Sequence, residues 1–297
     1  MKSRIVCLLT CLASIGLAVA NGHASQTTVP EGFQSFWATE LTRLQGWPAN
    51  PQRQKDEIVF TSASLRSCRI RYQMPSERGV LPPVLYLLDR QDAGAYRPRN
   101  THGWAVFDAG AMMTMETSPN PEQQPFTQAV LAAARALDLL LGTRAGGIVR
   151  AGLVGEGNGA AVAIALAAVR PNDVAFVAAH QPVNSALYPN DPTQAVAARA
   201  AGRQAMQKFD AWMPQLERAA EYVDLLNFAP LVRAPTLVSL GEADTVATPA
   251  AVGALYEALG SNKELVTIPR GRHCQAADLR EWQGLWQEWT RAALGHE

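Results

Sequence analysis

Residues 151–161 read AGLVGEGNGAA, and they are the strongest indication of the fold in this sequence. It begins as a short apolar run, passes through a glycine-rich turn, and continues into the alanine-rich segment 161–170. An apolar run, a tight turn and an alanine-rich segment in this order predict a buried strand, a sharp turn and a helix. The chain therefore contains at least one strand–turn–helix unit, which is the building block of parallel α/β sheets.

The glycine-rich turn has the spacing of the nucleophile elbow, G-x-S-x-G, in which a sharp turn lifts a serine hydroxyl above a parallel sheet. Gly155 and Gly159 occupy the two glycine positions of that motif, and Gly157 occupies the serine position. Shifting the alignment supplies neither a hydroxyl nor a thiol, because the other residues of the turn are Glu156 and Asn158. The sequence therefore predicts an elbow without its nucleophile.

The overall composition is that of one large α/β domain. The chain has 297 residues, is 48% hydrophobic and carries a formal net charge of zero. This length is sufficient for a buried core, and the neutral charge removes the electrostatic reason to expect nucleic acid as a partner. The histidines are scattered and no C-x-x-C or H-E-x-x-H motif occurs, so no metal-ligand spacing is present. We therefore expect no metal and no cofactor.

The first residues predict an export signal. The charged start MKSR precedes an apolar run at residues 5–20, and small residues after it offer cleavage sites. A membrane anchor is the alternative, but the run contains polar residues and is shorter than the roughly 20 apolar residues that a span requires. We expect residues 1–24 to be removed and residues 25–297 to form a single domain. The mature protein would then be secreted or periplasmic and would have no membrane span.

Removal of the signal would leave two cysteines, Cys68 and Cys274. An exported protein enters an oxidising compartment in which they could form one disulfide. Disulfide formation requires a short distance between the two residues, which the sequence does not give. The pairing therefore stays open.

Strands and helices alternate along the rest of the chain. Alternating or continuous apolar runs predict strands at residues 58–60, 68–73, 84–88, 104–107, 174–179, 236–240 and 264–268, in addition to the strand that begins at residue 151. Apolar residues at helical spacing predict helices at residues 30–44, 126–141, 161–170, 217–228, 248–259 and 282–294. Strands that alternate with helices of this length predict a mostly parallel, doubly wound sheet with helices on both faces.

Three positions directly follow strands of this predicted sheet: Gly157, Asp244 and, in the loop after the last strand, His273. Sites in open parallel sheets lie beyond the carboxyl ends of the strands. The order elbow, acid, histidine is the chain order of α/β-hydrolases. The sequence therefore predicts an α/β-hydrolase fold in which Asp244 and His273 keep the acid and base positions.

Several segments resemble the acetyl xylan esterase and cephalosporin C deacetylase family. They are residues 30–37, which resemble its P-x-x-F-x-x-F-W opening, residues 135–138 before the elbow, residues 221–229, which resemble S-Y-F-D-x-x-N-F-A, residues 241–249, which resemble the acid loop G-x-x-D-x-x-x-x-P, and residues 263–265, which read K-E-L. The resemblance extends from about residue 30 to residue 273 and implies the α/β-hydrolase fold.

The resemblance also implies roles for particular residues. In a working site His273 would accept the proton of the nucleophile, and Asp244 would fix the tautomer of the imidazole and stabilise the imidazolium. The family's H-G-Y, whose backbone helps to form the oxyanion hole, is replaced here by Leu88, Asp89 and Arg90. An anionic side chain at this place would oppose a developing oxyanion.

The sequence departs from the family pattern at the positions that would take part in catalysis. The family's G-G-S-Q-G-G reads GEGNGA at residues 155–160, and its R-G-Q-G loop reads DAGA at residues 108–111. The oxyanion or binding positions that the resemblance implies are Asn158, Asp89 and Arg90. We therefore predict a secreted carbohydrate-esterase relative that is non-hydrolytic or strongly impaired. Its partner would be an acetylated saccharide or a small ester, and its oligomeric state stays open.

Two other hypotheses remain. The chain could be an active ester hydrolase that uses another nucleophile, such as Cys274 or Glu156, or a water molecule activated by His273. Neighbours along a loop usually point apart, and the residue before an elbow nucleophile usually points elsewhere, so neither side chain is expected at the site. The chain could also be an interaction module, because its last helix is rich in tryptophan. Trp282, Trp286 and Trp289 share one helical face, however, which favours core packing.

Overall fold

The computed structural model describes residues 29–63, 67–73, 82–89, 103–113, 118, 120–142, 150–183 and 213–294. The predicted signal at residues 1–24 and the predicted binding residue Arg90 lie outside the described residues. No helix in the described part of the chain is both long enough and apolar enough to cross a bilayer.

Nine strands are present in the described residues. They are β1 (Gln52–Gln54), β2 (Glu57–Thr61), β3 (Ser67–Gln73), β4 (Val84–Leu88), β5 (Trp104–Asp108), β6 (Ala151–Glu156), β7 (Val174–His180), β8 (Thr236–Gly241) and β9 (Lys263–Ile268). They form one sheet in the order β1-β2-β3-β5-β4-β6-β7-β8-β9. Strands β4 to β9 pair in parallel, whereas β1, β2 and β3 form an antiparallel edge that joins β5. The predicted, mostly parallel sheet is confirmed.

The helices of the described residues connect these strands. They are α1 (Phe33–Gly46), α2 (Gly110–Met113), α3 (Pro125–Gly142), α4 (Asn158–Val169), α5 (Met213–Glu221), α6 (Leu225–Phe228), α7 (Pro249–Ala258) and α8 (Ala276–Ala293), together with short 3₁₀ turns at Pro121–Gln123 and Ala229–Leu231. The single helix predicted at 217–228 is wrong, because α5 and α6 occupy this region. The Asp224 carboxylate accepts the N–H of Leu226 at 2.9 Å and caps a new helix there.

The sheet is covered on both faces. One face packs against α1, α3, α4, α6 and α7 in a large apolar core, and α4 itself is buried from Gly159 to Ala168. The other face packs against α8, where Trp286 contacts Tyr86 edge-on at 6.0 Å and stacks on Phe176 at 6.4 Å between ring centroids. The core-packing prediction for the tryptophan-rich helix is thus confirmed for Trp282 and Trp286, which are buried.

Two glycines bring α4 close to the sheet. A Cβ atom on Gly159 would lie 1.9 Å from the carbonyl oxygen of Leu87, and a Cβ on Gly155 would lie 2.5 Å from the Cα of Ala160. No side chain fits at either position without moving backbone. This close approach places the first turn of α4 at the carboxyl edge of the sheet, between the ends of β4 and β6.

Candidate active site

The turn between β6 and α4 has the shape of an elbow and carries no side chain at its apex. Gly157 has φ 55° and ψ −118°. Its N–H donates to the carbonyl oxygen of His180 at 3.0 Å, and its own carbonyl oxygen accepts the N–H of Val183 at 3.4 Å. These two bonds tie the apex of the turn to the end of the neighbouring strand β7.

Asp244 and His273 form a hydrogen-bonded pair above this turn. His273 Nδ1 lies 2.9 Å from Asp244 Oδ2, and the aspartate is buried. The other carboxylate oxygen, Oδ1, accepts the N–H of Val246 at 2.8 Å and that of Ala247 at 3.0 Å. The carboxylate is therefore held in one orientation, and its bond to Nδ1 leaves Nε2 of the imidazole directed away from it.

The other ring nitrogen of His273, Nε2, faces Gly157. A Cβ atom built on Gly157 would lie 3.3 Å from His273 Nε2. A base in this position can take a proton from a group at the apex of the turn. The structure thus brings together the three residues Gly157, Asp244 and His273, as the sequence predicts, while their catalytic roles stay predictions.

Asp89 follows β4 and contacts the same turn. Its Oδ2 accepts the backbone N–H of Asn158 at 3.1 Å and the side-chain amide of Asn158 at 2.6 Å. The N–H of the residue after the elbow apex is the donor that binds an oxyanion in α/β-hydrolases. This donor is therefore occupied by a carboxylate of the chain itself.

The thiol of Cys274 also reaches the apex. This differs from the prediction that Cys274 points away from the site because neighbours along a loop usually point apart. A Cβ on Gly157 would lie 3.4 Å from its Sγ. Cys274 has φ 47°, and its N–H donates to Oε1 of Gln181, a buried residue that also has φ 47°. The unusual backbone at Cys274 turns its side chain toward the same place as that of His273.

The environment keeps this thiol protonated. Burial raises the pKa of Cys274, and the negative charges of Glu156, Asp89 and Asp244 raise it further, while a hydrogen bond with the backbone of Gly157 lowers it. Because the thiolate is the nucleophilic form of cysteine, a raised pKa opposes reactivity at neutral pH. Glu156 itself is buried at the end of β6.

Two further observations concern residues that the sequence reading left open or missed. Cys68 is buried on β3, and both it and Cys274 are free thiols, so they form no disulfide in this structure. His180 ends β7 beside the elbow, is fully buried, and has its Nδ1 2.7 Å from Ser239 Oγ. Burial, and to a lesser extent His273, lower the pKa of His180 to about 3, so it is neutral. Its only signal in the sequence is its place after an apolar run.

Three polar atoms from two segments of the chain thus lie around the apex of the turn: Asp89 Oδ2 after β4, and His273 Nε2 and Cys274 Sγ in the loop after β9. The His273 imidazole is oriented by Asp244, the apex of the turn is a glycine, and the backbone N–H of Asn158 is already bonded to Asp89. Among the described residues, no group of three or more histidine, cysteine, aspartate or glutamate side chains has an arrangement that could hold a metal ion.

A mostly parallel sheet with an elbow after a central strand, an acid after a later strand and a histidine after the last strand defines an α/β-hydrolase-fold protein. The sequence profile of the acetyl xylan esterase (AXE1) family matches residues 90–288. The chain belongs to this family, which confirms the resemblance seen in the sequence.

Solved structures of this class superpose well on the chain. The acetyl xylan esterase from Paenibacillus sp. R4 has a TM-score of 0.68 and 17% identity over 88% of this chain and 95% of its own. Acetyl xylan esterase 1 from Thermoanaerobacterium sp. JW/SL YS485 has a TM-score of 0.67 and 17% identity over 86% and 92% of the two chains. Est1E from Butyrivibrio proteoclasticus has a TM-score of 0.54 and 14% identity over 84% and 100%. These similarities show the α/β-hydrolase fold.

Proposed function

We propose that the protein is a member of the acetyl xylan esterase family with little or no hydrolytic activity, which retains the cleft of the family as a binding site. The observation that carries this proposal is Gly157, which occupies the apex of the elbow directly below Nε2 of His273. Covalent ester hydrolysis on this fold begins with attack by a hydroxyl at this apex. In a serine protease, removal of the nucleophile lowers kcat by about 2 × 10⁶.

The ligand that family membership favours is an acetylated saccharide or a small ester. The charged start and apolar run at the N-terminus support a secreted or periplasmic location, where polysaccharide fragments are met. The retained Asp244–His273 pair would then serve as a hydrogen-bonding wall of the cleft rather than as an acid–base pair acting on a nucleophile.

Turnover of p-nitrophenyl acetate by the wild-type protein and by the His273→Ala variant tests this proposal. Both are expected to show the same low rate, because neither has an attacking group for the imidazole to activate. Binding of acetylated xylo-oligosaccharides, measured by calorimetry against the deacetylated oligosaccharides, tests the retained cleft. Turnover by the wild-type protein that His273→Ala abolishes would contradict the proposal.

A second candidate function is ester hydrolysis with Cys274 or a water molecule as the nucleophile. The convergence of Cys274 Sγ and His273 Nε2 on the apex of the turn favours it. The raised pKa of the thiol opposes it, as does the bonded state of the Asn158 N–H. Loss of turnover in both Cys274→Ala and His273→Ala would identify the thiol, whereas loss in His273→Ala alone would identify water.

A further inference from the structure

We propose that Asp89 is an internal ligand of the oxyanion position. Its carboxylate occupies the slot in which the carbonyl oxygen of an ester, or one oxygen of a free carboxylate such as acetate, would bind. The protein would therefore hold its own acyl site closed, and external acyl groups would enter only by displacing Asp89. This inference rests on the proposed function only in taking the elbow as the ligand site, and its test measures binding rather than turnover.

The donors at this slot suit an anion. The backbone N–H of Asn158 belongs to the first residue of α4, a helix of 12 residues. Unpaired N–H groups and the helix dipole at such an end favour negative charge. Asp89 Oδ2 receives both this N–H and the side-chain amide of Asn158. Hydrogen bonds to a charged acceptor are stronger than those between neutral groups, so the carboxylate is a competitive occupant.

The chain leaves room for the carboxylate on both sides. A Cβ on Gly110 would lie 2.2 Å from Asp89 Oδ1, and a Cβ on Gly157 would lie 3.1 Å from Asp89 Oδ2. The N–H of Ala109 donates to the carbonyl oxygen of Leu88 at 2.9 Å, which fixes the segment before Gly110 against the segment before Asp89. A side chain at position 110 would take the space that the carboxylate now fills.

The proposal predicts which ligands the slot accepts when Asp89 is removed. Small carboxylates, acetate first, would bind to the donors of Asn158 in an Asp89→Ala variant and would be excluded from the wild-type protein. Asp89→Asn is the matched control, because its amide oxygen can still accept from Asn158 while the negative charge is gone. If occupancy decides, Asp89→Asn binds acetate less tightly than Asp89→Ala and more tightly than the wild type, because its neutral amide still occupies the slot but is the weaker acceptor. If charge repulsion alone decides, Asp89→Asn binds acetate as tightly as Asp89→Ala.

Titration with sodium acetate, at constant ionic strength maintained with sodium chloride, is the experiment. The amide signals of Asn158 are followed by ¹H–¹⁵N NMR, together with the melting temperature. In Asp89→Ala, we expect acetate to cause saturable shifts of these signals. The substitution should lower the melting temperature, and acetate should raise it again. The affinity for acetate should be at least about tenfold above that of the wild type, because one charge-assisted hydrogen bond contributes about this much to binding.

Gly110→Ala displaces the carboxylate by a second route that keeps Asp89 in the chain. It is expected to bind acetate more tightly than wild type, and it decides the question if Asp89→Ala does not fold. The proposal is overturned if folded Asp89→Ala or Gly110→Ala binds acetate no better than wild type, or if Asp89→Asn binds it as well as Asp89→Ala. His273-dependent turnover by the wild type would contradict the proposed function and leave these binding results unaffected.

Discussion

Introducing serine at position 157 should not by itself produce an efficient esterase. A Cβ at this position lies 3.3 Å from His273 Nε2, so a serine hydroxyl one bond further on can reach hydrogen-bonding distance of the imidazole. The base is already oriented by the buried Asp244. The same Cβ, however, lies 3.1 Å from Asp89 Oδ2, and that oxygen holds the N–H of Asn158. Gly157→Ser therefore supplies an attacking group without a free oxyanion donor.

The expected increase in kcat follows from the contribution of one oxyanion donor to transition-state stabilisation. Removing a single oxyanion donor lowers kcat by about 10² to 10³, or about 2.7–4 kcal/mol. The double variant Gly157→Ser/Asp89→Ala should therefore hydrolyse p-nitrophenyl acetate about 10² to 10³ times faster than Gly157→Ser. Asp89→Ala alone should show no gain, because it frees the donor without supplying a nucleophile. The gain should be in kcat, since the donor acts on charge that develops in the transition state.

Two controls make this comparison decisive. Adding His273→Ala to the double variant should abolish the gain, which separates hydrolysis at the elbow from reaction at surface groups. Circular dichroism and urea unfolding show whether each variant is folded. Equal rates for the single and the double serine variants would refute the reasoning, because they would mean that Asp89 does not block the donor during the reaction.

Three further predictions concern stability and reactivity. The pKa of His180 is about 3 in the folded protein and near 6.5 in the unfolded chain, so the unfolded chain binds more protons below pH 6.5. The free energy of unfolding should therefore fall by about 2 kcal/mol from pH 7 to pH 5. His180→Asn should remove this dependence on pH, as measured by urea unfolding. Gly159→Ala should lower the free energy of unfolding by about 3 kcal/mol or more, because its Cβ would meet the Leu87 carbonyl oxygen at 1.9 Å. Gly253 lies in an open part of α7, so Gly253→Ala should raise the free energy of unfolding by about 0.5–1 kcal/mol. If Gly159→Ala were stabilising and Gly253→Ala destabilising, the argument that Gly159 allows a close approach of α4 to the sheet would be contradicted. Because its pKa is raised, Cys274 should react with iodoacetamide at pH 8 at least about tenfold more slowly in the folded protein than in urea, as followed by peptide mass spectrometry, and equal rates would count against the buried, protonated thiol.

The features that depend on hydrophobic periodicity and chain order could be predicted from the sequence. The strand before the elbow, the helix after it, and the acid and histidine after later strands all lie where those patterns place them. The Asp244–His273 pair follows from this topology, because the carboxyl ends of parallel strands meet at one edge. The helix predicted at 217–228 failed because a periodicity of apolar residues cannot show that the Asp224 side chain caps a second, separate helix.

The positions of the Cys274 thiol and the Asp89 carboxylate in the site could not be predicted, because they depend on backbone conformations that the sequence does not reveal. Nothing in the residue types predicts that Cys274 and Gln181 both have φ 47°, yet this conformation and the bond between them turn the thiol toward Gly157. The sequence predicts that Asp89 disfavours an oxyanion. It does not show that the carboxylate is bonded directly to the donors of Asn158, since this needs the space that Gly110 leaves.

The backbone conformation of Gly157 affects how readily a serine could become established at this position. Its φ of 55° with ψ −118° is a conformation that glycine adopts without steric penalty and that other residues adopt only under strain of about 1–3 kcal/mol. A serine at this turn would store that strain, so the present sequence is the more stable one. Selection for stability alone would therefore disfavour a serine at this position unless hydrolysis brought an advantage at once.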